Sequence, residues 1–133
     1  MSTELCICIA VRKASRRLTA RYDEALAPAG INLAQFSLLR NIRRHGPVSL
    51  TRLSELTELD RSTLGRNVRV LERMGLCAAA DASDKREAAI ALTPEGLRIL
   101  AAAEPLWATT QADIRSRIGA DGAHQLEALL GAL

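Results

Sequence analysis

Residues 49–75 contain two short amphipathic stretches separated by three residues, and that spacing leaves few folds open to the chain. Ser49 is placed to cap the first, which carries Leu50, Leu53 and Leu56 at helical steps. Thr57-Glu58-Leu59 makes the turn, and Asp60 is placed to cap the second. In that second stretch Leu64, Val68 and Leu71 form one apolar stripe, and Gly75 ends it. Two short helices joined by a tight turn are a helix-turn-helix, in which the second helix is the one presented to a partner.

The flanking segments are also helical. Val11, Ala14, Leu18, Tyr22 and Ala25 recur at three- and four-residue steps, predicting a first helix over about 5–27 that Pro28 and Gly30 end. Asn32 with Gln35 three residues later is a capping box for a second helix that buries Phe36, Leu39 and Ile42 and stops at Gly46-Pro47. Residues 76–80 and 88–92 are short apolar runs around a charged centre, which predicts a β-hairpin, or wing. Thr93 and Pro94 open a fifth helix. Its apolar face is Leu97, Leu100, Trp107, Ile114 and Ile118, with an expected kink at Pro105. Gly119 ends it, and Asp121 is placed to cap a sixth carrying Leu126, Leu129, Leu130 and Leu133. Tyr22, Phe36 and Trp107 are the only aromatics, so the core is aliphatic, which favours helix over sheet.

The predicted fold class is therefore mainly α with a small β-wing, in one domain over 1–133. A winged helix-turn-helix occupies about 31–93. Helices over about 5–28 and 94–133 carry more apolar residues at the chain ends than a monomer needs, which predicts that they are dimerisation helices of a homodimer.

On the fourth helix, at about 100° per residue, Ser62, Arg66, Arg69 and Arg73 fall opposite the apolar stripe, with Gly65 beside them. Glu72 is the only acid inside that helix and lies off this face, whereas an ordinary solvated face mixes signs for i,i+4 pairing. Such a face suits the major groove of double-stranded DNA. Ser62 and Thr63, in the first turn, offer hydroxyls and backbone N–H groups to phosphate. Lys85 and Arg86 sit at the predicted wing tip after Asp84, where an arginine can enter a minor groove or simply decorate a charged turn. The net charge of +3 says less than its type: sixteen of the eighteen cations are Arg, which offers a planar fork of donors.

Other classes fit less well. His45 has no nucleophile or acid motif beside it, Asp23-Glu24 is a lone acidic pair, and no glycine-rich phosphate loop occurs, so the chain does not read as an enzyme. A winged-helix protein-interaction module without DNA readout is the alternative. No stretch is apolar and long enough to span a bilayer, and residues 5–11 are too short for a signal sequence, so a cytoplasmic protein without a membrane partner is expected. Cys6, Cys8 and Cys77 are an odd number of free thiols, read either as small buried hydrophobes or as sensors of oxidants or a soft metal. Structural zinc, with only His45 and His124 to help, is not expected.

The stretch from Pro47 to Leu76 and the segment 81–96 resemble the MarR family of bacterial transcription regulators. The resemblance lies in Leu-Asp-Arg-Ser-Thr-Leu at 59–64, Leu-Glu-Arg-Met-Gly-Leu at 71–76, Asp84-x-Arg86 and Leu-Thr-Pro-Glu-Gly at 92–96, in that order and spacing. It implies a triangular homodimer that binds a near-palindromic operator, usually as a repressor. It implies no cofactor beyond a small aromatic or phenolic effector that releases DNA. It further implies that Ser62, Thr63 and Arg66 occupy major-groove positions, that Arg86 is a minor-groove arginine, and that Asp84 orients it. The wing departs from the family pattern in being shorter and richer in alanine.

Overall fold

A computed structural model describes residues 4–80 and 88–133. Helix α1 spans Ile7–Leu26 and runs into a 3-10 turn at Ala27–Ala29 that Gly30 closes with φ +80°. Then follow α2 (Leu33–His45), β1 (Val48–Ser49), α3 (Leu50–Thr57), α4 (Arg61–Arg73), β2 (Cys77–Ala80), β3 (Ala89–Leu92), α5 (Pro94–Ile118) and α6 (Ala120–Gly131). The fold is mainly helical with a small antiparallel sheet, as the sequence predicts.

Four of the predicted caps form. The Asn32 carboxamide accepts the Gln35 N–H at 2.9 Å while the Gln35 side chain accepts the Asn32 N–H at 3.0 Å. Ser49, Asp60 and Thr93 each accept the N–H three residues on. The fifth cap does not form: Gly119, at φ +84°, precedes α6, which leaves Asp121 inside its first turn. There its charge still complements the helix dipole.

The sheet has one strand more than the sequence reading. Val48–Ser49 pairs with β3, giving the order β1-β3-β2, with Val48 opposite Ile90 and Cys77 opposite Leu92. A two-residue strand carries no periodicity to detect. Helix α5 runs unbroken through Pro105. Its buried residues include Leu100, Ala103 and Ile114, whereas Leu97 and Ile118, expected on the same buried face, lie near its two ends and are exposed. The apolar face outlasts the core.

One core joins α2, α3, α4, the sheet and α5 through Phe36, Leu39, Ile42, Leu53, Leu64, Leu71 and Leu100, all 0–1% exposed. Helix α1 is tied on by the Arg21–Asp113 ion pair and the Tyr22–Gln111 hydrogen bond to α5, and by Asp23, which accepts the Leu33 N–H at 2.8 Å. The Asp23 carboxylate is thus a structural acceptor.

The start of α5 rests directly on the chain leaving α4. Thr93 donates its hydroxyl to the Gly75 carbonyl at 2.6 Å, and the Thr93 N–H meets the Leu76 carbonyl at 3.1 Å. A Cβ on Gly96 would lie 1.9 Å from that same Leu76 oxygen, so only glycine fits there. Gly96→Ala should therefore destabilise the protein by about 1–3 kcal/mol, as overpacking against backbone does. Thermal denaturation checks it, and an unchanged midpoint would contradict this packing.

Candidate nucleic-acid interface

Helix α4 is fixed from both sides. Its inner stripe, Leu64, Val68 and Leu71, is 0–2% exposed. The turn before it is braced by two side chains of α3. Ser54 donates to the Leu59 carbonyl at 2.8 Å, and Thr57 donates to the Leu53 carbonyl at 2.7 Å and accepts the Leu59 N–H at 3.4 Å. Between them Glu58 takes a left-handed conformation, φ 55°, uncommon for a residue with a side chain. The sequence reading found the turn but not these braces. A hydroxyl at positions 54 and 57 was the signal, since Ser and Thr bond nearby backbone.

Asp60 is the centre of the first turn of α4. One carboxylate oxygen accepts both the Thr63 N–H and the Ser62 hydroxyl at 2.8 Å, and the other accepts the Thr63 hydroxyl at 2.9 Å. These hydrogen bonds, the backbone one first, hold its pKa down at about 2. The sequence reading had Asp60 as a cap and Ser62 and Thr63 as hydroxyls free to donate to phosphate. The structure commits both hydroxyl protons to Asp60.

Ser62, Arg66, Arg69 and Arg73 are all exposed along the outer side of α4, as predicted from the wheel. Space beside Gly65 is open: a Cβ there would meet nothing nearer than the Arg69 guanidinium at 3.9 Å. Arg66 reaches the Thr63 hydroxyl oxygen at 3.4 Å. The ion pairs among the described residues involve Arg21, Arg43, Arg52, Arg98, Arg115 and Arg117, and none involves an arginine of α4. None of these three guanidinium groups forms an ion pair among the described residues, although Asp60 at the start of the helix lies close enough to Arg66 to feel its charge. Asp84, Lys85 and Arg86 lie outside the described residues, although β2 and β3, the strands that lead to them, are paired in register.

A second cationic surface lies on α2. Arg40 stacks over the Trp107 ring at 4.6 Å and the Phe36 ring at 5.4 Å, and the two rings stack on each other. With Arg43, Arg44 and Ser37 they line an open groove of about 530 Å³ between α2 and α5.

The cysteines divide into two kinds. Cys6 precedes α1, Cys8 lies in its first turn, and both are exposed. Cys77 is buried, its thiol pointing at the Val68 carbonyl, and burial pushes its pKa up to about 11. Burial and the raised pKa both disfavour reaction of the Cys77 thiol with an oxidant or a soft metal. Among the described residues no group of three or more His, Cys, Asp or Glu could hold a metal ion. At pH 8, Cys77 should react with iodoacetamide only after unfolding in urea. Mass spectrometry of the alkylated chain checks this, and labelling of Cys77 in the folded protein at its rate in urea would contradict it.

The MarR family model matches residues 29–87, which take in α2, β1, α3, α4 and β2. The structure is similar to that of the M. tuberculosis transcriptional regulator MosR, at 31% identity, covering 98% of this chain and 96% of that one with a TM-score of 0.82. It is also similar to MosR in complex with DNA, at 33% identity, 96% and 98% coverage and a TM-score of 0.76. The HTH-type transcriptional repressor NicR of Pseudomonas putida is 31% identical over 96 residues, 71% of this chain. The HTH-type transcriptional regulator YwoH of Bacillus subtilis is 27% identical over 85 residues, 64% of this chain. These matches span 61% and 62% of the lengths of those two curated relatives. With the helix-turn-helix, the paired wing strands and the flanking helices all in the matching order, the chain belongs to the MarR family.

Proposed function

We propose that this protein is a sequence-specific double-stranded DNA-binding transcription regulator, acting as a homodimeric repressor on a near-palindromic operator. The observation that carries the reading is the uncompensated arginine face of α4, opposite a fully buried stripe. Three guanidinium groups with no ion-pair partner among the described residues repel one another, and an array of phosphates and guanine edges would relieve that repulsion. MosR, a relative crystallised with DNA, supports the assignment, as does NicR, a repressor by name.

The homodimer rests on the chain ends. Leu5, Ile7 and Ile9 near the start of α1 are 53–73% exposed, and Leu129, Leu130 and Leu133 at the end of α6 are 47–91% exposed. A second copy covering these two patches would place them at or near the two-fold axis. Helices around about 5–28 and 94–133 are then the dimerisation elements. Cys6 and Cys8 sit within the first patch, so oxidation of either would act on dimer contacts. The groove beside Trp107, ringed by Arg40, Arg43 and Arg44, suits an aromatic effector in its anionic form.

The test is a titration of duplexes selected from a random pool, at several salt concentrations. Affinity should fall steeply with salt, by about 0.9 in log–log slope for each phosphate contact. Arg66→Ala should weaken binding roughly 5–100-fold and relax base preference, if it reads a base. Salicylate, as a simple phenolic anion, should lower affinity. Binding that ignores sequence and survives high salt, or Arg66→Ala at wild-type affinity, would favour the protein-interaction module instead.

A further inference from the structure

The Asp60 cluster decides what kind of group the start of α4 can recognise. A hydroxyl has one proton and two lone pairs. Ser62 spends its proton on Asp60 at 2.8 Å, so its lone pairs are what it turns to solvent. Thr63 spends its proton on the other Asp60 oxygen and receives the Arg66 guanidinium at 3.4 Å. Asp60 already takes three donors of its own turn, and those hydrogen bonds keep it ionised at any physiological pH. Nothing in that range of pH releases the two protons.

An exposed acceptor is the wrong partner for a phosphate. Phosphate oxygens only accept, as do guanine N7 and O6, adenine N7 and thymine O4. The donors in a major groove are the exocyclic amino groups, N4–H₂ of cytosine and N6–H₂ of adenine. We propose that Ser62 is a specificity-determining residue that accepts a hydrogen bond from a base amino group, and that Asp60 is the positioning residue that fixes its hydroxyl as an acceptor. Arg66, which only donates, reads an acceptor on a neighbouring base. One turn of helix thus carries a complementary pair of readers, one for a donor and one for an acceptor. The proposal rests on α4 being the major-groove helix.

The experiment uses duplexes that wild-type protein selects from a random pool. Each adenine is replaced in turn by purine, and each cytosine by 2-pyrimidinone, which removes the amino group and keeps the ring. Wild type should lose roughly 3–10-fold in affinity at one such position in each half-site, the range of a single hydrogen bond. Ser62→Ala should show no further loss at that position. Asp60→Ser keeps a good cap for α4 but removes the carboxylate that holds the Ser62 proton. It should retain helicity by circular dichroism while the discrimination at that position shrinks. If wild type is indifferent to every amino group and Ser62→Ala weakens all duplexes alike, the hydroxyl contacts backbone and the proposal is overturned alone. If no duplex is selected at all, the DNA-binding reading falls and takes the proposal with it.

Discussion

The burial of Leu64, Val68 and Leu71 governs what α4 can present. Each fully buried aliphatic side chain is worth about 1.5–3 kcal/mol, so turning α4 about its axis would forfeit several kcal/mol and drive arginines into an aliphatic core. Exposed ion pairs, at about 0–1 kcal/mol each, could not compensate. The outward direction of Arg66, Arg69 and Arg73 is therefore a consequence of packing on the opposite side of the helix. The braces from Ser54 and Thr57 and the Asp60 cap add position along the axis to that rotation. A reading head needs both, because base edges are recognised over fractions of an ångström.

Two features are left uncompensated by the fold of a single chain, and they lie on different elements. One is the cationic outer face of α4. The other is the apolar surface at the start of α1 and the end of α6. In the proposed assembly a polyanion would satisfy the first and a second copy the second. The helix α5, continuous through Pro105, packs against both α1 and α6, and its first turn is seated on the Leu76 backbone through Gly96. One continuous helix thus connects the proposed dimer end with the chain that joins α4 to the sheet.

Much of this was legible in the sequence because it depends on local rules. Caps at Asn32, Ser49, Asp60 and Thr93, the stripe of α4 and its opposite arginines follow from spacing along one helix. What was not legible depends on tertiary contact. The strand at Val48–Ser49 exists because Ile90 and Ala89 lie beside it. Asp121 failed as a cap because Gly119 began α6 earlier. Leu97 and Ile118 obey the periodicity of α5, yet Leu97 is exposed between the buried Gly96 and Leu100, and Ile118 lies past Ile114, the last buried residue of the helix. Ser62 and Thr63 were identified as exposed hydroxyls, but the direction of their protons depended on which acceptor Asp60 supplied, a matter of three-dimensional geometry. Cys77 resembled the other two thiols until its burial separated them.

In the proposed complex the arginine face of α4 occupies the major groove twice, the two copies related by a dyad. Methylation interference on a selected operator tests it most directly, because dimethyl sulfate places a methyl on guanine N7 in the major groove. Methylated guanines should block binding in two clusters related by a dyad, about one helical turn apart. Binding that tolerates N7 methylation throughout the protected site would contradict the account.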